Sequence, residues 1–206
     1  FTLSLISLFS MQSNSQNLIK NYEAAWKKVE EFVNKGLPKS ALTEVQKIYS
    51  LAKKENQDAQ VIKSLLYITR LQSENREENE VVSVSEVEKE LSSSKEPALS
   101  ILKSLLANMY WGYYQQNRWK IYNRTATVDF RKDDIATWGT EDFHKKISEL
   151  YQQSVQNEKI LQQTTLVPYD ALIEKGNVRH LRPTLYDLLT HRALSYFAND
   201  ERHWSH

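Results

Sequence analysis

Apolar side chains recur at intervals of three and four residues through most of this chain, the period of an amphipathic helix rather than the alternation of a strand. The densest case is the stretch 98–124. Leu99, Leu102, Leu106, Met109 and Tyr113 make one stripe, Ile101, Leu105 and Gly112 a second, and Trp111 and Tyr114 widen the apolar surface. A helix that is apolar around most of its circumference is normally covered on most sides. The pattern predicts a buried central helix with the other elements around it and Leu102, Leu106, Met109 and Tyr113 in its contacts.

Ahead of that stretch the spacing predicts three shorter helices. Ser13 and Gln16 have capping-box spacing, and Leu18, Tyr22, Ala25, Val29 and Phe32 give the first apolar stripe. Gly36 suits a left-handed helix end and Pro38 a first helical turn. Ala41, Val45, Ile48, Tyr49 and Ala52 mark the second helix, with Lys53 and Lys54 at its negative end. Asn56 or Asp58 is placed to cap the third, whose face is Ile62, Leu65, Leu66 and Thr69. Loops this short join antiparallel neighbours. The arrangement resembles tetratricopeptide-type hairpins, without a clean repeat of about 34 residues. Residues 73–80 read as an exposed acidic loop, Ser83 and Glu86 as the capping box of a short helix through about Leu91, and 92–97 as a break before the central helix.

Beyond Asn117 the period fails, and 119–130 reads as an ordered loop. Asp133 and Asp134 suit the cap of a short turn reaching Trp138, and Gly139 ends it. Thr140 then opens a long helix to about Gln163, carried by Phe143, Ile147, Leu150, Ser154 and Leu161. Tyr169 to Ile173 reads as one or two helical turns ended by Lys175 and Gly176. Pro183 starts a last helix buried through Leu185, Leu188, Leu189, Ala193, Tyr196 and Phe197.

Composition agrees with this pattern. Four Gly and four Pro are too few for the many tight turns of a β-rich fold, and 40% hydrophobic residues can fill a core. The expected fold is all-α, about six to eight helices arranged as antiparallel hairpins around the aromatic-rich one. Residues 1–9 are apolar and uncharged and 10–16 polar, so 1–14 reads as a signal-peptide remnant, 15–200 as the helical domain and 201–206 as a truncated tail. The apolar start is too short to span a bilayer. A net charge of +1 makes no field that would attract nucleic acid or an anionic membrane, and the absence of Cys removes thiol chemistry.

Candidate chemistry is sparse. Asp187 and His191 lie one turn apart, and His203 and His206 are close in sequence, but no spacing brings three ligands together for zinc, and His180 and His191 read as surface or interface residues. Neither a phosphate loop nor a nucleophile elbow is present. No cofactor and no catalytic residue is expected, and the chain reads as a non-enzyme. Arg118, Lys120, Arg124, Arg131 and Lys132 are balanced by Asp129, Asp133 and Asp134, which suits ion-paired loop packing. Asn123-Arg-Thr fits a glycosylation sequon. The aromatic run from Tyr110 reads mainly as core. Arg118, Trp119, Tyr122, Arg124 and Trp138, expected outside the regular helices, form the candidate interaction surface, because aromatics and Arg are enriched at interfaces.

Five stretches together resemble a known family: 36–42 (Gly-Leu-Pro-Lys-Ser-Ala-Leu), 107–119 (Ala-Asn-Met-Tyr-Trp-Gly-Tyr-Tyr-Gln-Gln-Asn-Arg-Trp), 123–125, 133–138 (Asp-Asp-Ile-Ala-Thr-Trp) and 181–189 (Leu-Arg-Pro-Thr-Leu-Tyr-Asp-Leu-Leu). They look like the N-terminal helical region of bacterial alpha-2-macroglobulin-like proteins, with the tyrosine-rich block 110–119 the most specific part. The resemblance implies an exported chain, in the periplasm or at the cell surface, in which this region precedes macroglobulin-type β-domains. Some members trap proteases through a Cys–Gln thioester, which this Cys-free chain does not carry. It implies a non-catalytic scaffold whose partners are the downstream domains and, through the whole protein, proteases. The alternative is a stand-alone helical-repeat adaptor or a glycan-binding module of the cell envelope.

Overall fold

The computed structural model describes residues 22–73, 78–122, 134–172 and 183–199. The stretches expected as signal remnant and tail, the Ser13 capping box, Leu18, Arg124 and the turn at Lys175 and Gly176 lie outside the described residues. The described residues are all-helical: α1 (22–34), α2 (Pro38–Lys54), α3 (Asp58–Ser73), α4 (Glu78–Leu91), α5 (Ala98–Tyr122), α6 (Thr140–Ser154), α7 (Glu158–Gln163) and α8 (Leu185–Phe197). Short 3-10 helices occupy Ile135–Thr137 and Val167–Leu172. Among the described residues there is no strand, and the bridge between Thr165 and Thr184 is isolated. Contacts gather in two compact units, Phe1–Glu74 and Asn75–His206.

The first unit holds α1, α2 and α3. Its buried side chains include Tyr22, Trp26, Val29, Ala41, Val45, Ile48, Ala52, Ile62 and Leu65. Both linkers are three residues long and close in the same way. After α1, Gly36 takes φ +66°, Leu37 N–H donates to Phe32 C=O at 2.9 Å and Gly36 N–H to Val33 C=O at 3.0 Å. After α2, Asn56 takes φ +53°, Gln57 N–H donates to Ala52 C=O at 2.9 Å and Asn56 N–H to Lys53 C=O at 3.4 Å. These are Schellman closures, which satisfy carbonyls that a helix end leaves open. Asn56 thus ends α2 instead of capping α3. Asn tolerates the left-handed region better than other residues with a Cβ. Pro38 sits in the first turn of α2, as its spacing indicated.

In the second unit α5 packs against α4, α6 and α8. Leu102 and Leu106 are fully buried, whereas Met109 and Tyr113 are only half-buried and Tyr110 is sealed in their place. Ser83 does not start α4. It is buried inside a helix that already runs from Glu78, because a Glu-rich stretch has good helix propensity and need not be a loop. The end of α4 is a serine wrap: the hydroxyls of Ser92, Ser93 and Ser94 donate to the carbonyls of Lys89, Glu90 and Glu90 at 2.8, 3.2 and 2.8 Å. The long helix expected to Gln163 is two helices. Val155 closes α6, and α7 begins after Asn157, whose Nδ2 donates to Glu96 at 2.7 Å. The buried positions Phe143, Ile147, Leu150, Ser154 and Leu161 keep their period across the break. Thr184 caps α8, accepting from Asp187 N–H at 3.2 Å while the Asp187 carboxylate accepts from Thr184 N–H at 3.0 Å.

Candidate functional site

α5 supplies aromatic surface to the second unit, and its middle and its C-terminal end treat aromatics differently. In the middle, Tyr110 stacks on Trp138 with centroids 5.3 Å apart and planes at 10°, and Phe143 of α6 closes on both rings at 6.4 and 5.2 Å. Tyr113 and Tyr114 reach Phe143 at 5.7 and 5.8 Å. Next to Phe143 on α6, His144 lies 5.0 to 6.2 Å from the rings of Tyr114, Trp111 and Tyr196, with its Nδ1 2.8 Å from the Tyr196 hydroxyl. Each such ring pair adds about 0.5–1.5 kcal/mol beyond its buried area. The cluster holds three helices together.

A polar tie crosses its rim. The Tyr110 hydroxyl donates to Glu88 Oε1 at 2.7 Å, and the Lys146 ammonium stands 3.5 Å from the same oxygen and 5.9 Å from the Tyr110 ring. Burial, and after it the bond to Glu88, pushes the Tyr110 phenol far above its ordinary value. Sequence spacing gave no signal for this trio: Glu88 and Lys146 lie on different helices, and neither carries a local motif.

At its C-terminal end α5 presents aromatics outward. Trp119 is 71% and Tyr122 69% exposed, and both lie on the helix, which continues to Tyr122 instead of giving way to a loop at 119. Ile121 extends the buried side and is 1% exposed, so packing carries the helix past the point where the apolar stripe fades. The Arg118 guanidinium lies 5.4 Å from the Trp119 ring. Positions 118, 119 and 122 are within one turn of each other, so these three candidate residues form one face. Trp138 does not join them. It is 6% exposed and stacked on Tyr110, because Asp134 accepts from Ala136 N–H at 3.1 Å and turns the chain so that the indole enters the core. Arg124, His180, His203 and His206 lie outside the described residues.

His191 is exposed on α8, and Asp187 belongs to the α8 cap. Among the described residues no group of three or more His, Asp or Glu side chains is placed to hold a metal. No helix of the described residues is long and apolar enough to cross a membrane. In the first unit the Tyr22 hydroxyl donates to Glu55 at 2.6 Å and Trp26 Nε1 to Gln60 at 2.7 Å. Lys63 lies 4.1 Å from the Trp26 ring centroid, and burial lowers the pKa of its ammonium while Glu30 opposes the shift. Comparison with protein-family models, curated proteins and solved structures gives no match to this chain.

Proposed function

We propose that this chain is a non-catalytic helical scaffold and interaction module, standing at the N-terminal side of an exported macroglobulin-like protein. The observation that carries the reading is the division of labour along α5. The rings of Tyr110, Trp111, Tyr113 and Tyr114 lie among other aromatic rings, while Trp119 and Tyr122 stand out from the same helix with Arg118 beside them. Aromatic and Arg side chains exposed together are the composition of a contact surface. The partner in this reading is the set of downstream macroglobulin-type domains of the same protein, with proteases reached only through the whole molecule, in the periplasm or at the cell surface. The aromatic block at 107–119 and the short apolar start at 1–9 support it.

A second reading, a helical-repeat adaptor, has its own support. The linkers after α1 and α2 are equal in length and closed by the same pair of hydrogen bonds. Contacts from α1 to the segment after α2 advance in step, Tyr22 with Glu55, then Trp26 with Gln60 and with Tyr67. Such regularity suits tetratricopeptide-like antiparallel hairpins, packed in this proposal with the aromatic-rich α5 as centre of the second unit. The experiment reads the gene beyond His206 and expresses the chain together with its downstream segment. β-domains in frame, protected against proteolysis by this chain, support the scaffold. A stop soon after His206 overturns it in favour of the adaptor or glycan-binding module.

A further inference from the structure

Between the last turns of α1 and α3, inside the first unit, lies an open groove of about 310 Å³. That volume is at the lower end of the range for small-ligand sites. Glu30, Val33 and Asn34 line one wall, and Tyr67, Arg70 and Leu71 the other. Leu71 is 4% exposed and Val33 37% exposed, so the groove is sealed below and open at its rim. Its walls are held in register. The Schellman closure at Gly36 fixes the end of α1, and the Trp26 ring lies 4.8 Å from that of Tyr67, with the Lys63 ammonium 4.1 Å from the Trp26 ring and 5.8 Å from the Tyr67 ring.

The chemistry of the lining selects among ligands. Val33, Tyr67 and Leu71 offer apolar surface for one side chain. Asn34 carries a carboxamide, which can donate to a peptide carbonyl and accept from a peptide N–H. Glu30 and Arg70 put opposite charges on opposite walls. A purely anionic or purely cationic ligand would meet a like charge as well as an opposite one. A dipolar ligand meets a partner at each end. The guanidinium has five N–H donors, so it can hold a carboxylate and keep a contact within the protein.

We propose that this groove binds a short peptide that places an apolar side chain between an ammonium and a carboxylate, the ammonium toward Glu30 and the carboxylate toward Arg70. The site is separate from the α5 surface and does not depend on the scaffold reading.

The probe is the zwitterionic tripeptide Ala-Leu-Ala, titrated into the whole chain by calorimetry and followed by amide shifts in a two-dimensional NMR spectrum. The expected result is saturable binding with Kd on the order of 1 mM or tighter, the scale for a ligand this small. N-acetylation or C-terminal amidation should each weaken binding by about tenfold, the loss of one charge-assisted contact. Ala-Ser-Ala should bind more weakly than Ala-Leu-Ala. Glu30→Gln should erase the penalty for acetylation and leave that for amidation, and Arg70→Gln the reverse. Both positions are exposed, so an unchanged helical spectrum is expected and is checked alongside. Equal affinity for the free and blocked peptides, shifts that avoid residues 30–34 and 67–71, or no saturation by about 10 mM peptide would each overturn the proposal.

Discussion

Leu106 and Ser104 stand two positions apart on α5 and both are fully sealed from water, yet alanine at these sites should move stability in opposite directions. Leu106→Ala opens a cavity among packed neighbours and should cost about 2–5 kcal/mol. The Ser104 hydroxyl is buried with no hydrogen-bond partner, so Ser104→Ala removes a desolvated polar group and improves helix propensity. The Ser104 variant should gain several tenths to about 1 kcal/mol. Denaturant midpoints of both variants check the pair, and a destabilised Ser104→Ala would mean that the hydroxyl is satisfied. Tyr110 carries a pH signature. The folded chain holds the phenol proton more tightly than the unfolded chain does, through burial first and the Glu88 bond second. That contribution is whole below the ordinary tyrosine value of about 10 and is lost as pH rises above it through the folded-state value. Tyr22, buried and bonded to Glu55, acts in the same direction. Tyr110→Phe should therefore lose stability less steeply than the wild type between about pH 9 and pH 11. Equal slopes from urea unfolding across that range would remove Tyr110 as a source of alkaline sensitivity.

Among the elements, α1, α2 and α8 were legible because each joins a clean apolar stripe to a recognisable terminus. Gly36 and Pro38 punctuate the first boundary, and Pro183 marks the start of α8, where the structure adds the reciprocal cap of Thr184 and Asp187. The boundaries that went astray arise from long-range packing. Ile121 is held in the core from a segment whose own neighbours are polar, and Asn157 ends one helix arrangement by reaching Glu96, sixty-one positions away. A capping box is also only permissive, and Ser83 shows the pattern inside a helix. The two Schellman ends allow a direct test of backbone strain. A Cβ built at Gly36 meets nothing within 4 Å, so Gly36→Ala should cost only the left-handed backbone penalty, about 1–2 kcal/mol. Asn56→Gly relieves the same kind of strain after α2 and should be neutral or slightly stabilising, against a small loss of chain stiffness in the unfolded state. Thermal midpoints that fall equally for both substitutions would mean that the linkers are not energetic equivalents.

At the scale of the whole molecule, the all-α class was legible because a 3.6-residue period survives errors of several positions at every boundary. The candidate surface was only partly legible, because exposure is decided by tertiary contacts that spacing does not encode. Trp119 and Trp138 were indistinguishable as members of one aromatic and basic stretch. The structure gives one to solvent and the other to Tyr110 and Phe143. That separation makes the scaffold proposal testable by contrast. Trp119→Ala should leave stability within about 0.5 kcal/mol, as for an exposed site away from caps and core. If the α5 face is a docking surface, the same change should weaken association with the downstream domains by about 2 kcal/mol or more, the scale of an aromatic hot spot. Tyr122→Ala, on the same turn, should act in the same direction. Trp138→Ala should do the opposite, costing about 3–5 kcal/mol of stability through the cavity it leaves. Once the loss of folded protein is allowed for, its effect on docking should be small. Circular dichroism and calorimetric unfolding report the first quantity, and titration of the separately expressed downstream segment reports the second. Docking that is unchanged in both Trp119→Ala and Tyr122→Ala would remove the end of α5 as the contact surface, whatever the fold does.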